Sequence, residues 1–227
     1  MGPVSSDAVN RYLKQTRELF GDELFLEKKA VSSTTAPTPI NSEYPSDLVN
    51  FYEQIHQCHN CALGNSRTQF VFGVGDPNAS LVLVGEAPGE QEDLKGEPFV
   101  GRAGQLLDKI LDAIDRSREK DVYICNVLKC RPPQNRDPLA DEVEQCEPYL
   151  IHQINLIQPK LIVALGRVAG KTLLNVDNSL KSMRGILHNY HNTPLIVTYH
   201  PAALLRNPNW KPEAWKDFKW IRSMIDA

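Results

Sequence analysis

The sequence lacks several features that would assign it to a class at once. It has no apolar run near the roughly 18–20 residues that span a bilayer, and its N-terminus does not show the basic-then-apolar pattern of a secretory signal. Its formal net charge is -3, so the overall charge does not indicate a nucleic-acid partner. We therefore expect a soluble, cytoplasmic protein whose function has to be deduced from local motifs.

Cysteine is scarce, with five residues in 227. In a reducing compartment these favour ligation of a metal or cluster over disulfides. Cys58 and Cys61 form a C-x2-C pair, whereas Cys130 and Cys146 have 15 residues between them. Four thiolates can hold a tetrahedral zinc or a [4Fe-4S] cluster, and the wide second spacing favours the cluster, because each iron takes one cysteine from a different direction. Cys125 lies in an apolar run and is interpreted as a small hydrophobe.

The chain divides into an N-terminal extension and one larger domain. Residues 6–28 have helical periodicity, and residues 30–45 are rich in Ser, Thr and Pro, as linkers are. Residues 1–45 are therefore predicted to be a helix plus a linker. Residues 46–227 are predicted to form the functional domain, because they are long enough to bury a large core.

Charge is uneven along this chain. Residues 1–60 hold five Lys or Arg and eight Asp or Glu, so residues 61–227 hold 20 of each and are neutral overall. The bases of the neutral part fall in predicted loops, where they could form a phosphate-binding rim or simply be solvated. They include Lys95, Arg102, Lys129, Arg131, Arg136, Lys181, Arg184 and Arg206.

Four apolar runs predict the strands of a buried sheet, at residues 81–84, 122–125, 161–165 and 195–199. Amphipathic helices separate them, so the fold class is α/β, with a central four-stranded, mostly parallel sheet flanked by helices and an N-terminal helical extension. Residues 90–102 are predicted to be a polar loop. Asp137 is predicted to cap the helix that follows the second run.

Polar residues end three of these runs. Glu86 follows the first strand, Asn126 the second and His200 the fourth. Because the carboxyl ends of parallel strands meet at one edge of a sheet, these side chains should share a crevice that could serve as an active site. Taken singly, Asn126 could instead cap a turn and His200 could be structural. Residues 166–172 (GRVAGKT) have three residues between their glycines instead of the four of a phosphate-binding P-loop.

Four segments resemble the family 4 uracil-DNA glycosylases, the [4Fe-4S] type of bacteria and archaea. They are GEAPG at 85–89, EPFVGRAGQLLD at 97–108, NVLKCRPPQNRDP at 126–138 and YHPAALLR at 199–206. The resemblance covers about residues 46–226 and includes the cysteine spacing. It implies a three-layer α/β sandwich and a monomeric, monofunctional enzyme of the bacterial or archaeal cytoplasm. That enzyme would cut the N-glycosidic bond of uracil in single- or double-stranded DNA and leave an abasic site for base-excision repair.

The resemblance also implies roles for single residues. Glu86 would stabilise an oxocarbenium-like sugar and orient water, while His200 would donate a hydrogen bond to the uracil O2. Asn126 would distinguish uracil from cytosine by its hydrogen-bonding face. Phe99 would stack on the flipped base, and the backbone amide of Gly85 could bind a uracil oxygen.

Further residues are implied to contact DNA or the cluster. Leu205 or Arg206 would face the DNA where the base leaves the stack, although the leucines of this segment could equally be helix residues that pack inward. Arg184 could contact phosphate. The four cysteines Cys58, Cys61, Cys130 and Cys146 would hold the cluster, which would brace the loop beyond Asn126. Alternatives are a zinc-bearing nucleic-acid-binding protein without catalysis, a redox iron–sulfur protein, or a pocket that accepts other deaminated bases.

Overall fold

The computed structural model describes residues 44–227, so the predicted N-terminal helix and nearly all of the predicted linker lie outside the described residues. No helix of this described part is long and apolar enough to cross a bilayer. The helices are α1 (Leu48–Ile55), α2 (Glu90–Lys95), α3 (Arg102–Asp112), α4 (Ala140–Ile157), α5 (Arg167–Leu174), α6 (Leu180–Met183), α7 (Pro201–Arg206) and α8 (Lys211–Ile225). The strands are β1 (Val74–Gly75), β2 (Leu81–Gly85), β3 (Val122–Asn126), β4 (Leu161–Leu165), β5 (His188–Tyr190) and β6 (Thr193–Thr198).

The strands form one six-stranded sheet in the order β1-β3-β2-β4-β6-β5. The four predicted strands are its parallel centre, because β2 pairs with β3 and β4, and β4 pairs with β6, all in parallel. The short strands β1 and β5 close the two edges in antiparallel pairing. The predicted α/β fold is thus confirmed. Residues 67–74, whose sequence favours a short strand, contribute only Val74 to β1, and the apolar pattern does not reveal β5.

Side chains of the central strands alternate between two cores, one on each face of the sheet. Val82 and Val84 pack into a core with residues of α1, α4 and α5. Leu81 and Leu83 pack into the opposite core with residues of α3 and α8. Because helices cover both faces of the sheet, a ligand can reach the central strands only at their ends. In such sheets ligands bind at the carboxyl ends of the strands.

Two local predictions were wrong. The segment predicted as a polar loop contains the helix α2, which ends at Gly96 in the left-handed conformation (φ 75°). Helix α4 begins at Ala140, and the side chain of Glu142 accepts the backbone N–H of Leu139 at 2.9 Å. Asp137 therefore does not cap this helix, and it lines the cavity described below.

Candidate active site

A cavity of about 690 Å³ opens at the carboxyl ends of the parallel strands. Its lining contains Glu86, Phe99, Asn126, His200 and Arg206. The first four come from segments that are far apart in the chain, and the strand order brings them together. Such a volume is typical of small-molecule sites, so the predicted crevice exists.

Gly85 and Asn126 are paired neighbours at the ends of β2 and β3. A Cβ on Gly85 would lie 2.2 Å from Asn126 Oδ1 and 2.9 Å from the Phe99 ring, so only glycine fits here. Asn126 is 2% exposed, and its amide makes no hydrogen bond within residues 44–227. The residue lines the cavity, so its amide is available to a ligand there.

The carboxyl group of Glu86 is half-buried at the cavity wall. Burial raises its pKa to about 7; the negative charge of Asp137 adds to the rise, and Arg167 opposes it. The backbone around Glu86 is fixed, because Val127 donates to the carbonyl of Gly85 and Leu128 to that of Glu86, both at 3.0 Å. A carboxyl group with a pKa near neutrality can exchange protons at physiological pH.

His200 precedes Pro201, the first residue of α7. Its Nδ1 accepts the backbone N–H of Ala202 at 3.1 Å, so the neutral ring carries its proton on Nε2. The pKa of His200 is lowered to about 4, chiefly by burial; the charge of Arg206 contributes to this lowering, and that of Glu92 opposes it. The imidazole is therefore neutral at physiological pH, and it can donate from Nε2 without carrying a charge.

Strand β4 lies between β2 and β6, ends at Leu165 and is followed by Gly166, which has a φ of 98°. A Cβ on Gly166 would lie 2.9 Å from the Cβ of His200. Adjacent strands are about 4.8 Å apart, so the strands that lead to Glu86 and His200 are about 10 Å apart. Gly166 therefore leaves the room that the His200 side chain occupies at the cavity wall, which both residues line.

Phe99 has a left-handed backbone (φ 54°), and its ring centroid lies 5.4 Å from that of His200 at an interplanar angle of 29°. Glu92 holds the backbone beyond it, since Glu92 Oε1 accepts the N–H groups of Val100 at 3.0 Å and Gly101 at 3.1 Å. The sequence analysis missed this role of Glu92. An acidic residue in the first turn of α2 is an ordinary helix feature, so the sequence carries no signal of its second task.

We expect Glu92→Ala to lower the free energy of unfolding by about 1–3 kcal/mol, because two backbone N–H groups lose a charged acceptor. Glu92→Gln keeps a carbonyl oxygen for both groups and should recover most of that loss. Urea unfolding of the two variants measures the difference. Equal stability of Glu92→Ala and the unchanged protein would show that the carboxylate does not hold this loop.

The predicted DNA-facing residues lie in different surroundings. Leu205 is half-buried, and Arg206 is exposed and lines the cavity. Arg184 does not line it: its Nε pairs with Asp217 Oδ2 at 2.8 Å, and its guanidinium lies 4.2 Å from the Tyr199 ring centroid. These contacts occupy Arg184 inside the protein and count against the predicted phosphate contact.

All five cysteines are free thiols, and Cys130 and Cys146 are buried. Burial raises the pKa of Cys130 to about 11; Arg67 opposes the rise, and Cys61 and Cys58 add to it. The thiols of the C-x2-C pair are therefore close enough to Cys130 to act on its charge. Within residues 44–227 no group of three or more His, Cys, Asp or Glu side chains is placed to hold a metal ion.

Hydrogen-bond donors point at the sulfur atoms. The backbone N–H of Lys129 lies 3.3 Å from Cys146 Sγ, Arg67 Nη1 lies 3.4 Å from Cys130 Sγ, and the Tyr149 hydroxyl lies 3.3 Å from Cys58 Sγ. Donors to sulfur are a feature of iron–sulfur sites, where they tune the cluster.

Lys129 adds a buried positive charge on the same side. It is 0% exposed, and its Nζ donates to Asn126 O at 2.8 Å and to Gln153 Oε1 at 2.6 Å. Within the described residues this ammonium pairs with no carboxylate, although a buried charge needs a counter-charge. Burial lowers the pKa of this ammonium and so disfavours its charge, and the thiols Cys125, Cys146 and Cys130 oppose that shift. An anionic thiolate cluster would supply the missing negative charge, so the residues present fit such a group.

The parallel sheet with an acid, an amide and a neutral imidazole at its strand ends is typical of an α/β enzyme, and the family comparison says which class of enzyme it is. The model described as "Uracil DNA glycosylase superfamily" matches residues 72–219, and the chain belongs to this superfamily. Within it, the chain is similar to proteins named Type-4 uracil-DNA glycosylase. That of Archaeoglobus fulgidus is 45% identical over 182 residues, which is 77% of this chain and 91% of the relative.

Two further Type-4 uracil-DNA glycosylases show the same level of similarity. The protein of Sulfurisphaera tokodaii is 45% identical over 185 residues, covering 78% of this chain and 84% of the relative. That of Thermotoga maritima is 45% identical over 157 residues, covering 68% and 81%. The family suggested by the sequence motifs is therefore confirmed.

Proposed function

We propose that this protein hydrolyses the N-glycosidic bond of uracil in DNA and leaves an abasic site, as the first step of base-excision repair. The observation that carries the proposal is the meeting of Glu86, Asn126 and His200 on one cavity at the strand ends. The target base is inaccessible inside a duplex, so the nucleotide has to turn out of the stack to enter this cavity.

Glu86 acts on the sugar. As the C1′–N1 bond breaks, its electron pair leaves with uracil and the sugar becomes an oxocarbenium-like cation. The Glu86 carboxylate stabilises this cation and orients a water molecule, whose oxygen bonds to C1′ and whose proton passes to the carboxylate. A pKa raised to about 7 by burial suits a group that takes a proton at neutral pH.

His200 acts on the leaving base. Its Nε2–H donates to the uracil O2, where negative charge develops as the bond breaks. Support comes from the Nδ1 contact with the Ala202 N–H, which fixes the tautomer and the ring orientation. A neutral donor suffices, because the hydrogen bond strengthens as the charge on O2 grows.

Asn126, Gly85 and Phe99 recognise the base. The Asn126 amide offers a donor and an acceptor to the uracil edge, whereas cytosine presents an amino donor and a ring acceptor instead. The backbone amide of Gly85 binds a uracil oxygen, and the Phe99 ring packs against the base. The glycine at position 85 supports this assignment, since a Cβ there would collide with both other residues.

Cys58, Cys61, Cys130 and Cys146 hold a [4Fe-4S] cluster in this proposal. The cluster would be structural, since hydrolysis of a glycosidic bond moves no electron between donors. It would brace the chain between Cys130 and the backbone that holds Asn126 and Glu86. Arg206 and Leu205 face the DNA at the cavity opening. A repair enzyme works where the DNA is, so we place it in the cytoplasm.

Incubation with a uracil-containing oligonucleotide, followed by alkali, tests the proposal. The unchanged protein should produce a strand break at uracil after alkali and none before it. Glu86→Ala should lose activity by about 1,000-fold or more, because both the cation and the water lose their carboxylate. Matched oligonucleotides with cytosine or thymine at the same position are the controls. An unchanged protein that leaves the uracil strand intact would refute the proposal.

A further inference from the structure

An exposed tryptophan lies at the opening of the cavity. Trp210 ends the short helical turn Pro208–Trp210, it is 41% exposed, and it lines the cavity. Trp215 is exposed to a similar extent, 39%, and does not line the cavity. A single exposed aromatic side chain is normal on a protein surface, so the argument depends on what holds Trp210 and what lies beside it.

The ring of Trp210 is held by a stack that is anchored in the core. Its centroid lies 5.3 Å from that of Tyr199 at an angle of 23°. The Tyr199 ring also contacts the guanidinium of Arg184, which is fixed by the ion pair with Asp217. Asp217 in turn accepts from the hydroxyl of Thr198 at 2.6 Å. This chain of contacts fixes the indole plane in advance, so a ligand that stacks on it does not have to order it.

A cation accompanies the indole. Arg206 is exposed, ends helix α7 four residues before Trp210, and lines the same cavity. Its charge also acts on His200, which shows that it lies near the reacting end of the cavity. Aromatic rings beside basic side chains are how proteins bind single-stranded nucleic acid, with bases on the rings and phosphates on the cations.

We propose that Trp210 and Arg206 form a binding site for single-stranded DNA, in which Trp210 stacks on an unpaired base next to the nucleotide in the cavity and Arg206 contacts the phosphate between them. The inference rests on the proposed function and adds a second base subsite to it. In a duplex the neighbouring base is held in place by its pairing partner and by the base on its other side, so it cannot turn onto the Trp210 ring as an unpaired base can. The site therefore favours single strands.

The test measures the affinity for a short, fluorescently labelled oligonucleotide without uracil, as a single strand and as a duplex. For Trp210→Ala we expect the single-strand affinity to fall roughly 5- to 150-fold, the range for one base–aromatic stack, and the duplex affinity to change less than about two-fold. Trp210→Phe keeps a ring that can stack on a base and should retain most of the single-strand affinity. Trp215→Ala is the matched control, with an exposed tryptophan outside the cavity, and should bind as the unchanged protein does.

Three outcomes would overturn this inference: no loss of single-strand affinity in Trp210→Ala, an equal loss on the duplex, or an equal loss in Trp215→Ala. Trp210→Phe separates the loss of stacking from misfolding. If Trp210→Phe is folded and still binds as weakly as Trp210→Ala, the stacking role is also contradicted. The measurement needs no base release. A failure of the unchanged protein to cut at uracil would therefore refute the function and leave the binding comparison to decide on Trp210.

Discussion

The kcat/KM for uracil release is expected to fall about tenfold per pH unit below pH 7, and to be about 100-fold below its plateau at pH 5. The reason is that Glu86 acts as a carboxylate, whereas burial raises its pKa to about 7, so acid converts it to the neutral form that cannot stabilise the cation. His200 adds no limb in this range, because its pKa is lowered to about 4 and it is neutral throughout. A pH profile from pH 5 to 9 measures the effect.

Two variants move the midpoint of this profile in opposite directions. Asp137→Asn removes a negative charge that disfavours ionised Glu86, so the midpoint shifts to lower pH. Arg167→Gln removes a positive charge that favours it, so the midpoint shifts to higher pH. Asp137 and Arg167 also pair with each other at 3.4 Å. Removing Asp137 frees Arg167 to lower the pKa of Glu86 further, and removing Arg167 frees Asp137 to raise it further.

Other ionisable groups face the same cavity and have to be distinguished from Glu86. They are Glu92, Arg136, His200 and Arg206. None of them acts on Glu86 as strongly as Asp137 and Arg167, the two charges that perturb it. A profile that is flat from pH 5 to 9 in the unchanged protein would contradict the role of Glu86 as a carboxylate.

Cys130→Ala is expected to lose the brown colour, bound iron and solubility, and with them activity by at least about 100-fold. Cys130 is the proposed ligand that lies nearest in the chain to Asn126, the residue proposed to recognise uracil. Loss of a structural metal site is among the most destabilising single changes. The unchanged protein should contain about four iron atoms per chain. Iron analysis, visible absorbance and uracil release are measured on the same preparations.

Cys125→Ala is the matched control, because Cys125 is also buried but lies inside β3 and outside the proposed ligand set. It should keep its iron and colour and lose only about 1 kcal/mol of stability from the small cavity it leaves. A fully active, colourless Cys130→Ala protein would contradict the bracing role. Zinc in place of iron in the unchanged protein would favour the zinc alternative.

The central strands and the meeting of their ends could be predicted from the sequence, because this information is local. Each buried strand is an unbroken apolar run, and three of the four are followed by a polar residue that a core does not accept without a purpose, such as Glu86 or Asn126. Parallel pairing then gives the crevice without further input. The edge strands β1 and β5 have two and three residues, which is too short for any period to show.

The pairing of charges could not be predicted, because it joins residues that are distant in the chain. Arg184 looks like a free loop base in the sequence, but its partner Asp217 lies 33 residues further on. Asp137 looks like a helix cap, but Glu142 takes that task and leaves Asp137 beside Glu86. Local propensity cannot decide between two acids that lie near the start of one helix. The ion pair of Glu142 with Arg136, six residues before it, accompanies its role at the helix start.

Gly166, which follows β4 between the strands that lead to Glu86 and His200, has a consequence for how substrate choice could evolve. The spacing of the two strands that lead to Glu86 and His200 is a backbone dimension, two hydrogen-bonded steps across the sheet, and substitution of side chains does not change it. Relatives built on the same sheet would therefore inherit the same spacing. Specificity for a different damaged base would therefore have to come from the side chains that line the cavity. A larger residue at position 166 would collide with His200 and restrict the site.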